Sequence, residues 1–235
     1  MQLFLLSQRP NGTFFLENEE AHHCMRVLRH GTGDHIHAID GKGNKYECLI
    51  TASSKKEVEL DILVTEARWG EPPYQLRLGL SPLRLRDRFE TAIEKAVELG
   101  VSEIAPLTCS RTVKTGLKME RIEKIATAAV KQCKRSRIPD LPEIQKLENF
   151  MNDDASEVKL IAWCEAAKPI RELEKAIQEA ASISILIGPE GDFSEQEVAE
   201  AAQKGYIPVS LGQTRLRTET AAMYAVAVVK TMKGF

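Results

Sequence analysis

Apolar and polar positions change their rhythm near residue 70. Before it, short runs alternate with a period of two, as in "HIHAIDGKGNKYECLI" and "VELDILVTEA". Such runs predict strands, and Asp40-Gly41 between two of them predicts a hairpin turn. The opening "MQLFLLSQRP" reads as a further strand; it has no basic segment ahead of its apolar stretch and no small-residue cleavage site. "RWGEPPYQ", Arg68 to Gln75, places a glycine and two prolines between the two regimes and marks a domain boundary.

From Gln75 onward, strand-like and helix-like blocks take turns. "QLRLGL", "EIAPLTC", "VKLIAWC", "SISILIG" and "IPVSLG" read as strands. "DRFETAIEKAVELG", "KMERIEKIATAAVKQCKRS", "KPIRELEKAIQEA", "SEQEVAEAAQKG" and "TETAAMYAVAVVKTMK" carry apolar residues at three-or-four spacing and read as helices. This order predicts βαβ units and a largely parallel sheet covered on both faces. The last helix is apolar almost all round, so it needs burial on more than one side, and a subunit interface is one way to supply it.

The chain has 235 residues, 43% hydrophobic and 28% charged, the balance of a soluble globular protein. No apolar run reaches the roughly 18 residues of a membrane span. Five widely spaced cysteines without a CxxC pattern suit free thiols in a reducing cytoplasm. Net charge is only −2, but residues 77–137 hold 14 Lys/Arg against 7 Asp/Glu. That clustering suits a polyanionic partner, and it suits equally a pair of solvated helix faces. His22, His23, His35 and His37 with Cys24 match no zinc spacing, so no metal is expected.

Ligands of open parallel sheets bind at the carboxyl ends of the strands. Three loops leave such ends late in the chain: Trp163–Lys168, Gly188–Ser194 and Leu211–Thr220. In "GPEGDFS", Gly188 and Gly191 permit positive φ and close approach of a ligand, and Pro189 stiffens the turn. Ser194 and Glu197 have capping-box spacing, which predicts where the next helix starts. "TRLRTET" places Arg215 and Arg217 beside a helix start, with Thr218 or Thr220 as its cap. Cations there do not help the helix dipole and are more useful to an external anion.

"LIGPEGDFSEQEV" followed by "LGQTRLRTETAA" resembles the SPOUT methyltransferases, and specifically the RsmE family of 16S ribosomal RNA uridine-N3 methyltransferases. "HHCMRVLRHGTGD", "DRFETAIEKAVELGVSEIAPL" and "KQCKRSRIP" resemble further family segments in the family's order. The resemblance implies a small PUA-like β-barrel domain at 1–70 that binds RNA. It implies a methyltransferase domain at 71–235, whose parallel sheet ends in a C-terminal trefoil knot. It implies S-adenosyl-L-methionine as cofactor, a homodimer, and 16S ribosomal RNA of the small subunit as partner, with no membrane.

Carried over residue by residue, cofactor contacts fall on Ile187, Gly188, Pro189, Gly191, Leu211, Gly212, Leu216 and Thr218. Arg217 is the candidate for stabilising charge on the base, and Glu190 or Glu219 for taking a proton. RNA contacts fall on His23, Arg26 and Arg29, on Arg84, Arg86 and Arg88, and on Arg135 and Arg137. The chain departs from the family pattern at Asp192, where a glycine is usual, at Thr214 and Arg215, where arginine and an aliphatic residue are usual, and at Lys131, where the family often has glutamate. Two other classes remain open on the residues alone: a non-catalytic RNA-binding assembly factor, and an α/β enzyme holding a nucleotide phosphate at "GPEG".

Overall fold

The structure is a computed structural model that describes residues 1–54 and 56–235. It divides into two compact units. One comprises Met1–Glu71 with Thr127–Ile138, the other Pro72–Ala126 with Pro139–Phe235.

The first unit is built on strands β1 (Leu3–Leu5), β2 (Ser7–Gln8) and β3 (Phe14–Glu17), helix α1 (Asn18–His22), and strands β4 (His35–Ile39), β5 (Asn44–Ser53) and β6 (Glu57–Ala67). The sheet order is β1-β4-β5-β6-β3-β2. β1 runs parallel to β4 and the other neighbours are antiparallel. Only Leu6 separates β1 from β2, so one extended stretch pairs with both edges and the sheet closes on itself. Closure removes the exposed edges that would otherwise invite pairing with other chains. Phe4, Leu16, Ile36, Ile50 and Val58 fill the interior, with Cys24 and Cys48 among them. Burial pushes those two thiols up, to about 11 and about 12, so both stay protonated and inert. The Asp40-Gly41 turn is present: Asp40 accepts the N–H groups of Lys42 and Asn44 and joins β4 to β5.

The chain leaves this unit through a pinned segment. Gly70 has φ 70°, and a Cβ there would lie 2.3 Å from the Lys134 carbonyl oxygen, so only glycine fits. Glu71 accepts the backbone N–H groups of Ser136 and Arg137 and the Arg135 guanidinium at 2.7 Å. Within Arg68–Gln75, Gly70 and Glu71 are thus tied into the first unit, and the second unit begins at Pro72.

The second unit contains β7 (Gln75–Leu80), α2 (Arg86–Glu98), β8 (Glu103–Thr108), α3 (Met119–Gln132, whose last residues belong to the first unit), β9 (Gln145–Lys146) and α4 (Leu147–Asp153). β10 (Val158–Ala162), α5 (Glu174–Glu179), β11 (Ser182–Ile187), α6 (Glu195–Gln203), β12 (Ile207–Val209) and α7 (Thr218–Met232) complete it. Its sheet, β12-β10-β11-β7-β8-β9, is parallel throughout. Connections from β7 run toward β8, and those from β11 run toward β12. The order therefore reverses between β7 and β11, the place where such sheets open a crevice at their carboxyl ends.

One local expectation changes, and further elements appear that the pattern did not predict. "KPIRELEKAIQEA" is not one helix: Ile170–Leu173 form a 3-10 turn and α5 begins only at Glu174. Pro169 sits before that turn in an extended conformation, and its carbonyl accepts from Glu172. β9 and α4 have no counterpart in the pattern reading, because two and seven residues are too short to show a period. The "HHCMRVLRH" stretch continues α1 into a π-helical turn over His23–Val27.

At the amino ends of the strands a buried polar cluster pins the sheet. The Asp154 carboxylate, fully buried, accepts Arg77 Nη1 at 2.8 Å, the Ser156 hydroxyl at 2.7 Å, and the hydroxyls of Ser184 and Tyr206. Arg77 also grips Glu103 with two bonds, at 2.7 and 2.9 Å. Burial pushes the Asp154 carboxyl up, but the bonds from Ser184, Tyr206 and Ser156 outweigh it and hold it below the usual aspartate value.

Candidate active site

A cavity of about 600 Å³ opens at the carboxyl ends of β10, β11 and β12. It is walled by Ala162–Glu165 after β10, Ile187–Phe193 after β11, and Ser210–Glu219 with Ala221 leading into α7. Arg88 from α2 and Arg111 from the loop after β8 complete the wall. One cavity thus gathers Ile187, Gly188, Pro189, Glu190, Gly191, Leu211, Gly212, Leu216, Arg217, Thr218 and Glu219.

The Gly188–Ser194 loop differs from expectation in its backbone. Neither Gly188 nor Gly191 has positive φ; the left-handed residue is Asp192, with φ 64°. The glycines serve close packing instead. A Cβ on Gly188 would lie 3.1 Å from the Phe193 nitrogen and 3.2 Å from its ring, and one on Gly191 would lie 3.3 Å from the Arg111 side chain. Aspartate at the left-handed position is tolerable because its carboxylate bonds locally. Asp192 accepts its neighbour Phe193 N–H at 2.8 Å and Cys164 N–H at 3.0 Å. The departure from glycine therefore joins the β11 loop to the β10 loop.

The same loop is held from two other sides. Glu190 accepts Arg84 N–H at 2.9 Å, fixing the β7 loop. Arg111 Nη1 donates to the carbonyls of Gly191 at 2.7 Å and Phe193 at 3.3 Å. Sequence reasoning did not single out Arg111. The rule that loops at strand carboxyl ends carry function covers the β8 loop too, and it would have found this residue.

The capping box at α6 is present: Glu197 N–H donates to the Ser194 hydroxyl at 3.3 Å, and Glu197 accepts Ser194 N–H at 2.8 Å. Glu197 also accepts Ser110 N–H at 2.7 Å and its hydroxyl at 2.9 Å. Burial pushes this carboxyl up, and the bonds from Ser194 and Ser110 hold it below the usual glutamate value. Glu197 is therefore ionised at neutral pH and ties the start of α6 to the loop after β8.

At the opposite wall neither Thr218 nor Thr220 caps α7. Arg217 is the N-cap residue, in an extended conformation, without a side-chain cap bond. Thr218 is buried at the first helical position. Glu219 pairs with Arg88 at 3.5 Å. Arg217 is exposed and, among the described residues, makes no side-chain hydrogen bond or ion pair. A free guanidinium on the rim of the cavity is available to an incoming anionic or polarised group, and the exposed Arg215 lines the same cavity.

The remaining basic candidates are not among the residues that line the cavity. Arg84 and Arg86 are exposed beside the start of α2. In the first unit, Arg26 and Arg29 are exposed and His23 packs against Phe4 with ring centres 6.0 Å apart. Arg137 is partly buried there, and its N–H is taken by Glu71. Arg135 is a correction: its side chain is 5% exposed and committed to Glu71, so it holds the fold and does not face RNA. Lys131 pairs with Glu20 within the first unit. Among the described residues, no three His, Cys, Asp or Glu are placed to hold a metal ion. None of the helices of the described residues is long and apolar enough to cross a membrane.

Comparison with known proteins gives two family matches: an RNA methyltransferase domain over residues 70–230 and an RNA methyltransferase PUA domain over residues 16–63. The ribosomal RNA small subunit methyltransferase E of Mesomycoplasma hyopneumoniae is 33% identical, covering 89% of this chain and 95% of that one. The protein of that name from Bacillus subtilis is 29% identical over 92% of this chain and 89% of its own length. A crystal structure of ribosomal RNA small subunit methyltransferase E from Neisseria gonorrhoeae, bound to S-adenosyl methionine, superposes with a TM-score of 0.87. It is 29% identical and covers 99% of this chain and 98% of that one.

Proposed function

We propose, because this chain belongs to the RNA methyltransferase family and within it to the ribosomal RNA small subunit methyltransferase E group, that it methylates N3 of a uridine in 16S ribosomal RNA. The observation that carries the reading is the cavity that gathers "GPEG" and "LRTET" at the carboxyl ends of β10–β12. Its volume suits a small-molecule cofactor, and its wall combines apolar side chains with exposed backbone. Those residues fit S-adenosyl-L-methionine, which supplies a methyl group activated on a sulfonium. Ile187, Leu211 and Leu216 would take its apolar surface. The backbone of Gly188, Pro189, Gly191 and Gly212, with Thr218 beside them, would take its polar edges.

The N3 lone pair of uracil is delocalised into two flanking carbonyls. Attack through N3 therefore requires loss of its proton and stabilisation of charge on those oxygens. Arg217, free on the rim, donates to a uracil oxygen; a positioned donor of this kind typically contributes about 2.7–4 kcal/mol. Glu190, in the loop after β11, and Glu219, in the first turn of α7, line the same cavity as candidate bases. The first is partly engaged by Arg84 N–H, the second by Arg88. Exposed Arg26 and Arg29 in the PUA-type unit, and Arg84 and Arg86 near the cavity, are proposed to hold phosphates, with His23, Arg88 and Arg137 in support. Such contacts give affinity without base specificity.

Arg217→Ala should lower the single-turnover methylation rate about a hundredfold or more, with S-adenosyl-L-methionine affinity nearly unchanged. A wild-type rate at saturating RNA and cofactor would remove Arg217 from catalysis. Resemblance to the SPOUT enzymes also supports a trefoil knot at the C-terminus, a homodimer and a cytoplasmic location. The dimer has support in α7. One face is buried through Ala222, Ala225, Val226 and Val229, while Tyr224 on another is 45% exposed amid half-covered Ala221, Ala227 and Val228. Light scattering should give twice the 26.2 kDa chain mass. A monomer at micromolar concentration would exclude a shared site.

A further inference from the structure

The loops that follow β7 and β8 carry two large apolar side chains in the open: Leu85 at 55% exposure and Val113 at 72%. Exposed leucines and valines are ordinary one at a time. These two belong to loops that are joined, because the hydroxyls of Ser81 and Thr112 are hydrogen-bonded at 2.8 Å. β7 and β8 are neighbours in the sheet, so both loops leave the same edge, the one at which the cavity opens. Leu85 is also tied to the cavity wall: the adjoining Arg84 N–H donates to Glu190.

The loops' own side chains carry positive charge, although Glu190 and Glu197 bond to their backbone and Asp87 follows Arg86. Residues 81–86 contain Arg84 and Arg86, and residues 109–118 contain Arg111, Lys114 and Lys118, without an Asp or Glu in either stretch. Two exposed apolar side chains on joined, cation-bearing loops complement a strand that offers phosphates on its backbone and flat apolar faces on its bases.

This inference rests on the reading of the reaction at N3. That atom lies at the centre of the pairing edge of uracil, so a paired or stacked uridine is closed to attack and must be drawn out at a cost of a few kcal/mol. Proteins that open base stacks insert apolar side chains, leucine among them, between bases while cations hold the backbone. We infer that Leu85 and Val113 form a base-contacting wedge that keeps the RNA strand unstacked beside the cavity, while Arg84, Arg86 and Lys114 hold its phosphates. Leu85 and Val113 are positioning residues; they act through the strand and not on the reacting atoms.

Binding of two RNA probes isolates the wedge from both chemistry and charge. Oligouridine and an abasic strand of the same length carry equal charge and differ only in their bases. The wild-type protein should prefer oligouridine by about tenfold. Leu85→Ser with Val113→Ser should erase that preference, leaving abasic-strand affinity, its salt dependence and the thermal stability unchanged. Leu85→Met should retain the preference. In single-turnover methylation, the double variant should be slower than wild type on folded small-subunit RNA. The gap should narrow on the same RNA unfolded by heat without magnesium. No base preference in the wild type, or an unchanged preference in the double variant, overturns the wedge. A protein that shows the preference and its loss but transfers no methyl group would refute the reaction and leave the wedge standing.

Discussion

Gly188→Val should abolish the thermal stabilisation that S-adenosylhomocysteine gives the wild-type protein. A ligand at a hundred times its dissociation constant stabilises by about 2.7 kcal/mol. For a chain of this size that corresponds to a rise in melting temperature of roughly 5–10 °C. The Gly188 position has no room for a branched side chain, since even a Cβ would press on the Phe193 nitrogen at 3.1 Å and on its ring. Phe193 is 1% exposed and packed in the core, so it cannot yield, and the loop must move. Gly191→Val should do less, because its added carbon meets the flexible Arg111 side chain. A full thermal shift in Gly188→Val would remove the loop from the cofactor site. A loss in Gly191→Val alone would mean that Arg111, not Gly188, governs the loop.

Asp154→Ala should cost about 3–5 kcal/mol of stability, because three buried hydroxyls lose their acceptor at about 1–3 kcal/mol each. Thermal unfolding should show a fall in melting temperature of roughly 6–20 °C. The hydroxyls of Ser156, Ser184 and Tyr206 lose their acceptor at once, and Arg77 loses one of its bonds while keeping Glu103. The cluster lies at the amino ends of the strands, away from the cavity, so cofactor affinity of the folded variant should be unaffected. The pH dependence follows from the depressed carboxyl. A carboxyl held below its usual value contributes stability that is complete above the unfolded value and is lost as pH falls through the folded one. Wild type should therefore lose stability in acid more steeply than Asp154→Ala. Equal acid profiles would show that the carboxylate is not ionised in the fold.

What the sequence made readable was local or periodic. The α6 capping box needs only two residues three apart, and it stands as read. The parallel sheet followed from runs of alternating type, and "GPEG" and "LRTET" followed from the rule that ligands gather at strand carboxyl ends. What escaped depends on contacts distant in the chain. Asp192 occupies the left-handed position because Cys164, 28 residues earlier, supplies an N–H to its carboxylate. Arg135 reads as a surface cation in "KRSR", yet Glu71, 64 residues earlier, draws it inside. Arg111 reaches across to Gly191 and Phe193 from the far side of the sheet order. The break before α5 escaped because its apolar spacing is helical throughout.

The most direct test of the central claim is to incubate the protein with small-subunit ribosomal RNA and methyl-labelled S-adenosyl-L-methionine, then digest the RNA and identify the labelled nucleoside. The account predicts label in 3-methyluridine at a single position, lost in Gly188→Val and strongly slowed in Arg217→Ala. Label in another nucleoside, or none from a protein that binds the cofactor, would contradict it.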